Sequence, residues 1–290
     1  MPHPSNSGNA TRKAGRPAAV VLEGVSKTYR VSEAGSKDAR SSRRIRSGRL
    51  VTSLKPLSLV ARAGESIGVV GHNGSGKSTL LKLIAGAESP TTGRVLVNST
   101  PMLLGVAPAL QPYLTGRQNI ILGLLALGVS KAEAKALEPG ISQWADIGDA
   151  IDRPLRTYSA GQGARLSFAI STAVEPEILL VDEALSTGDA AFSARARERM
   201  GRLLDGAGNL FLVSHSADQI TDNCSRAVWI HRGELLFDGD AEAVTGAYKE
   251  WSALANTEKG DQFVEEFRSQ RAILLDGTGD GPDGRVSRQL

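Results

Sequence analysis

The run Gly71-His72-Asn73-Gly74-Ser75-Gly76-Lys77-Ser78 constrains this chain more than any other feature, because of what flanks it. Ahead of it, Ser66-Ile67-Gly68-Val69-Val70 reads as a short strand buried on both faces. Behind it, Thr79-Leu80-Leu81-Lys82-Leu83-Ile84-Ala85 carries apolar positions suited to a helix packed on a sheet. A strand, a loop of pattern G-x-x-x-x-G-K-[ST] and a helix, in that order, point to an α/β core with parallel strands. The glycines let consecutive backbone N–H groups converge on phosphates, where the helix adds the positive end of its dipole. Lys77 then reaches the β- and γ-phosphates, Ser78 offers a hydroxyl to Mg2+, and Thr79 continues the nucleotide-binding set. A solvated Gly/Ser turn is the bland alternative, and the flanking segments argue against it.

Ile178-Leu179-Leu180-Val181 reads as a second buried strand, ending in Asp182-Glu183. Two acids at the tip of such a strand are out of place unless the tip enters a site. Asp182 is expected to hold Mg2+, directly or through water. Glu183 is expected to polarise an attacking water, a role that contributes ~10²–10⁴-fold in rate. A third apolar run, Leu210-Phe211-Leu212-Val213, leads into Ser214-His215, at the carboxyl end where open parallel sheets bind ligands. His215 is assigned to γ-phosphate sensing, with a satisfied surface histidine as the alternative. Upstream, Tyr158-Ser159-Ala160-Gly161-Gln162 precedes a helix over 165–170, so Ser159 and its neighbouring N–H groups can face an anion. A plain Ser-Ala-Gly helix cap is the competing reading.

Together, over about residues 20–252, these segments resemble the nucleotide-binding subunit of an ATP-binding cassette (ABC) transporter. The family's Leu-Ser-Gly-Gly-Gln signature corresponds to residues 158–162. The resemblance implies that Ser159, Gly161 and Gln162 bind the γ-phosphate of an ATP held by a second copy of the chain, so two ATP molecules lie between two subunits. It also implies that adenine stacks on Tyr29, with ~1–3 kcal/mol as the scale for base–aromatic stacking. Asp189, in Ser186-Thr187-Gly188-Asp189, matches the aspartate that communicates across the dimer. One departure concerns the loop glutamine that joins Mg2+ in the family. A gap-free alignment puts Val106 at its position, and Gln111 stands five residues later.

The departures narrow the subfamily. Leu114-Thr115-Gly116-Arg117-Gln118-Asn119-Ile120 and Asp182-Glu183-Ala184-Leu185-Ser186-Thr187-Gly188-Asp189 resemble polysaccharide and teichoic-acid exporters. So does Ala227-Val228-Trp229-Ile230-His231-Arg232-Gly233-Glu234. The implied activity is ATP hydrolysis that drives a lipid-linked cell-wall polymer, teichoic acid first, across the cytoplasmic membrane. An O-antigen, galactan or capsule-like polysaccharide is the second cargo. A non-transport ABC ATPase acting on ribosomes or nucleic acid is the reading from another class. The implied partners are a second copy and two copies of an integral membrane permease, which handles most of the polymer. Nucleic acid is not among them, and the expected location is peripheral, on the cytoplasmic face of the membrane.

Length and charge support one cassette. The 290 residues hold one copy of each motif. The apolar stretch at 120–129 is too short to span a bilayer. The lone Cys224 reads as a structural thiol without metal-ligand company. Residues 1–50 carry eleven Lys/Arg against three acids, whereas the remainder carries 23 against 28. Much of that basic excess falls in 33–50, which resembles an insertion that in these exporters lies against the membrane subunit, where anionic headgroups attract each cation by ~1 kcal/mol. A solvated basic loop is the equal alternative, and nucleic-acid binding a weaker one for want of a base-reading module. The expected organisation is a disordered tail (1–18) and an ABC nucleotide-binding domain (19–252). That domain contains an antiparallel β part, a parallel-sheet core and a helical insert (115–173) that docks on the membrane subunit. A largely flexible extension (253–290) follows, with one short helix at 257–267.

Overall fold

A computed structural model describes residues 16–31, 49–104, 110–182, 190–214, 216–255 and 257–276. Most of the basic insertion and of the first tail lies outside this set, as do 277–290. The first elements in chain order are β1 (Ala18–Val31), β2 (Arg49–Arg62), β3 (Ser66–Val70), α1 (Lys77–Ile84), β4 (Thr92–Val97) and β5 (Met102–Leu104). Next come α2 (Gly116–Ala126), α3 (Lys131–Ala145), two 3-10 turns (Gly148–Asp152, Leu155–Thr157), α4 (Ala160–Ser171) and β6 (Ile178–Val181). Then follow α5 (Ala190–Gly206), β7 (Asn209–Val213), α6 (Ala217–Asn223), β8 (Arg226–His231), β9 (Glu234–Asp240), α7 (Ala241–Leu254) and α8 (Glu258–Asp276). They fall into two compact units, one made of residues up to 98 and from 211 on, the other of 99–210.

In the first unit, β2, β1 and β4 form an antiparallel sheet in that order, with Val21 opposite Val60 on one side and Leu96 on the other. Tyr29 lies opposite Val51 near the end of the β1–β2 pairing. A second set of strands has the order β7-β3-β8-β9. β3 and β8 are parallel, pairing Val70 with Trp229, and β8 and β9 form an antiparallel hairpin. Continuous apolar runs make these central strands. β3 is buried at every position after Ser66, and Ala227, Val228, Trp229 and Ile230 are fully buried. Burial on both faces suits parallel pairing, which leaves no solvated face to alternate with. The result places the end of β3, and the loop that leaves it, beside the β8–β9 turn.

The second unit holds the parallel pair β5–β6, with Leu104 opposite Val181, and a helical core. Ile120 and Leu124 of α2, Ala134, Ile141 and Ala145 of α3, and Leu166 and Ile170 of α4 are buried together. α3 runs from Lys131 through Pro139 to Ala145. Proline removes a backbone donor there, and burial of Ile141 and Ala145 on the same face as Ala134 outweighs that loss. Trp144 stacks on Phe168 of α4 at 5.5 Å and meets Phe192 of α5 edge-on at 5.3 Å. The α/β class expected from the sequence is thus the class observed.

α2 gives a clean test of this core. Leu124 has no exposed surface, whereas its neighbour Leu125 is 41% exposed. Leu124→Ala should lower stability by about 2–5 kcal/mol. Leu125→Ala should stay within about 0.5 kcal/mol of the parent, both read from urea denaturation midpoints.

Candidate functional site

Between β3 and α1 the backbone of 71–76 turns on glycines for two separate reasons. Gly76 has φ 112° and Gly74 φ 77°, the left-handed side that side chains disfavour. At Gly71 the reason is space, since a Cβ would come within 2.3 Å of the Ile230 carbonyl and 2.6 Å of Ser75 Oγ. The loop's tip, His72, Asn73 and Gly74, is exposed together with Ser78, while Gly71, Ser75, Gly76 and Lys77 are buried. Lys77 Nζ donates to the carbonyls of Gly71 at 2.7 Å and His72 at 3.1 Å, so its ammonium is held inside the loop it follows. Thr79 shares a 2.8 Å hydrogen bond with Ser53 of β2.

The start of α1 carries no side-chain cap and no acid in its first turn. Five other helices take a side-chain cap among the described residues: Thr115 at α2, Ser130 at α3, Ser159 at α4, Ser216 at α6 and Asp240 at α7. The first N–H groups of a helix need an acceptor, and at α1 no side chain supplies one. The Ser75 hydroxyl is likewise buried without a hydrogen-bond partner among the described atoms. Exposed glycine backbone, a helix start without a side-chain cap, an inward ammonium and the Ser78 hydroxyl are a donor set suited to phosphate oxygens and a hard cation.

Tyr29 stands on β1 in the same unit. Its hydroxyl donates to Glu88 Oε2 at 2.6 Å, and Lys27 Nζ lies 5.1 Å from its ring centre. Partial burial first, and the Glu88 carboxylate second, push the phenol above its usual pKa. Glu88 moves the opposite way, held below the carboxylate range first by the Tyr29 hydrogen bond and then by Lys27 and Lys82, against some burial. Sequence reasoning finds Tyr29 but misses Glu88. The only signal for it is a solitary acid a few residues past α1, which looks like any surface charge.

The second unit carries the signature segment. Ser159 is the N-cap of α4, and its Oγ accepts from the Gln162 N–H at 3.2 Å while the Ser159 N–H donates to Gln162 Oε1 at 3.0 Å. The helix cap that competed with anion binding as a reading of this segment is therefore formed. It spends a lone pair of the hydroxyl and leaves its proton to be donated outward. At Gly161 a Cβ would have room, its nearest neighbour being Ser159 Oγ at 4.0 Å. Tyr158 packs its hydroxyl against Gly116 at the start of α2, and burial raises its pKa. Asp182 follows β6, half-buried, with its N–H bonded to the Leu104 carbonyl at 3.4 Å. Glu183, Asp189 and His215 lie outside the described residues, as does Val106.

Gln111 has a structural place of its own. The fully buried Asn119 accepts from the Gln111 N–H at 2.7 Å and donates to the carbonyls of Gln111, Leu114 and Thr115. One side chain thus fixes the whole turn, which displays Tyr113 at 79% exposure with the Arg156 guanidinium 5.7 Å from its ring.

A glycine loop on a strand–helix junction with a buried lysine and an uncapped helix start defines a P-loop nucleotide-binding class. Residues 54–186 match the family model described as ABC transporter. The teichoic acids export ATP-binding protein TagH of Staphylococcus haemolyticus is 34% identical over 218 residues, spanning 75% of this chain and 78% of the relative. The O-antigen export system ATP-binding protein RfbB of Myxococcus xanthus is 37% identical over 220 residues, 76% of this chain and 50% of its own. A post-hydrolysis dimer of the ATP-binding cassette MJ0796, bound to ADP and Pi, shares the fold with a TM-score of 0.58 at 22% identity, covering 77% of this chain and 98% of that one. The chain belongs to the ATP-binding protein family of ABC transporters. It spans 43–65% of the length of several other curated relatives.

Ser159 can be tested as a cap apart from any ligand. Ser159→Ala should cost about 1 kcal/mol of stability, whereas Ser159→Asp, an equally good cap, should cost almost nothing, both measured by urea unfolding of the purified chain.

Proposed function

We propose that this chain is the ATP-hydrolysing subunit of an exporter that moves a lipid-linked cell-wall polymer, teichoic acid in the first instance, across the cytoplasmic membrane. The observation that carries the ATP reading is the α1 N-terminus, left without a side-chain cap directly behind a loop that encloses Lys77. The polymer reading rests on the similarity to teichoic-acid export relatives. The similarity to an O-antigen export protein supports a polysaccharide as the second cargo.

In this proposal Tyr29, oriented by Glu88, supports the adenine, and the 71–76 backbone with Lys77 holds the β- and γ-phosphates. Ser78 and Asp182 hold Mg2+, which would neutralise phosphate charge during transfer. Glu183 aligns the attacking water and His215 senses the γ-phosphate. Ser159, Gly161 and Gln162 of a second copy close over the nucleotide, the serine donating the proton its cap leaves over, and Asp189 communicates between copies. Closure excludes bulk water, and hydrolysis reopens the dimer. The Tyr113–Arg156 turn and the helices around it transmit this motion to a membrane permease. No helix of the described residues is long and apolar enough to cross a membrane, so a peripheral position on the cytoplasmic face of a permease pair suits the chain.

Two measurements test this reading. Glu183→Gln should bind ATP, accumulate as a dimer in size-exclusion chromatography and turn over ~10²–10⁴-fold more slowly. Wild-type turnover in that variant removes Glu183 from its role. Ser159→Asp, folded but bearing a negative charge where a phosphate is expected, should lose ATP turnover and the concentration dependence of the specific rate. Retention of both would break the two-copy site. Co-purification with ribosomes instead of a multi-span membrane protein would overturn the export assignment.

A further inference from the structure

The C-terminal helix α8 is seated on the same turn that supports the phosphate loop. Six of the chain's thirteen Trp, Tyr and Phe side chains gather around it: Trp229, Phe237, Tyr248, Trp251, Phe263 and Phe267. Trp229 is fully buried at the centre, with Phe263 and Phe267 of α8 at 6.5 and 6.1 Å. Beside them Val264 is buried as well. In a chain so sparing of aromatics, this concentration marks a strongly seated helix and not a loose tail.

Polar contacts tie the seated helix to the β8–β9 turn. Arg268 donates to Glu234 at 2.8 Å, and Lys55 of β2 reaches the same carboxylate at 3.3 Å. Arg232 pairs with Asp261 at the exposed rim. Burial, the largest influence on Glu234, raises its pKa, yet Arg268 and Lys55 together bring the carboxyl below its usual range.

The turn itself is tight against the loop. Arg232 and Gly233 both take positive φ, 48° and 78°. The Gly233 N–H donates to the Ser75 carbonyl at 2.8 Å, and the Gly233 carbonyl accepts from the Lys55 N–H at 2.7 Å. The Ile230 carbonyl occupies the space a side chain at Gly71 would need. A Cβ on Gly233 would come within 2.7 Å of the Ser53 carbonyl, so the turn has no slack on that side either.

We infer that α8 is a strap whose docking sets the nucleotide affinity of the phosphate loop, with Arg268 and Glu234 as positioning residues acting through Gly233 and Ser75. The inference rests on the nucleotide reading of the loop given above and adds a regulation to it. When α8 is seated, Glu234 is held from two sides and the turn presents its N–H to Ser75. When α8 lifts, Glu234 loses Arg268, and the turn loses one of the two cations that anchor it. Because coupling between two sites is reciprocal, a ligand that favours the supported loop also favours the seated helix by a similar factor.

The test uses the full chain and Mg-ATP. Isothermal titration calorimetry should find ATP binding weakened about 5-fold by Arg268→Gln, the low end of measured site-to-site couplings. Glu234→Gln should weaken it similarly, and Arg268→Lys, which retains a cation for Glu234, should recover most of the loss. Saturating ATP should slow hydrogen exchange of the α8 amides by a comparable factor in the parent chain. Unchanged ATP affinity in both Gln variants, even with lowered thermal stability, assigns Arg268 and Glu234 to packing alone and overturns the strap. Exchange in α8 that ignores ATP overturns it equally. A parent chain that binds no ATP overturns the loop reading and this inference with it, a result distinct from normal parental binding with inert variants.

Discussion

Backbone stands close against backbone around residues 71–76: the carbonyl of Ile230 lies where a side chain at Gly71 would go, and the carbonyl of Ser53, with the Leu54 side chain, does the same at Gly76. The loop at 71–76 is therefore not a flexible glycine stretch. It is clamped by the β8–β9 turn on one side and β2 on the other, with Gly233 bonded to both Ser75 and Lys55. Such pre-shaping matters for anion binding, because a loop already ordered has less conformational entropy to lose when phosphate arrives. Lys77, folded back onto the carbonyls of Gly71 and His72, adds a charge to the same enclosed backbone.

The two helix starts central to the proposed chemistry solve opposite problems. α1 begins on Gly76 with no side-chain cap, the arrangement that suits an external anion in the proposed function. α4 begins on Ser159 with a complete capping box, so its own N–H groups are satisfied first and the serine proton is what remains. In the proposed function one end serves as a cradle and the other as a self-sufficient lid. The second unit reinforces that self-sufficiency. Asp146, which caps α3 in a left-handed conformation, pairs with Arg195 at 3.1 Å, and Arg199 lies 4.5 Å from the Trp144 ring. α3, α4 and α5 are thereby joined around Trp144, Phe168 and Phe192.

Much of this is legible in the order of residues alone. β3, the loop and α1 are readable because period, glycine spacing and a lysine at the right offset agree over a short window. The strand at 178–181 is equally plain, four apolar residues closed by two acids. What escapes the sequence depends on distance along the chain. Glu88 becomes important only when β1 brings Tyr29 and Lys27 to it. α8 is longer than the short helix expected at 257–267, and the apolar residues of its first half, Phe263, Val264 and Phe267, are too sparse for a periodic signal. They matter because Trp229 and Phe237, about thirty residues earlier, supply the surface they cover. α3 outruns its Pro139 for the same reason.

By itself, then, the sequence determined the local chemistry: which loop carries the phosphate-binding pattern, which strand tip carries acids, which serine starts a helix. Those properties follow from residues within a dozen positions of one another, where covalent geometry and periodicity suffice. Tertiary structure decided what holds these pieces in shape: the turn that braces Ser75, the carboxylate that steadies Tyr29, the aromatic seat under the last helix. Each needs groups from separated segments to meet, and the burial and hydrogen bonding that choose such partners exist only once the chain has closed on itself.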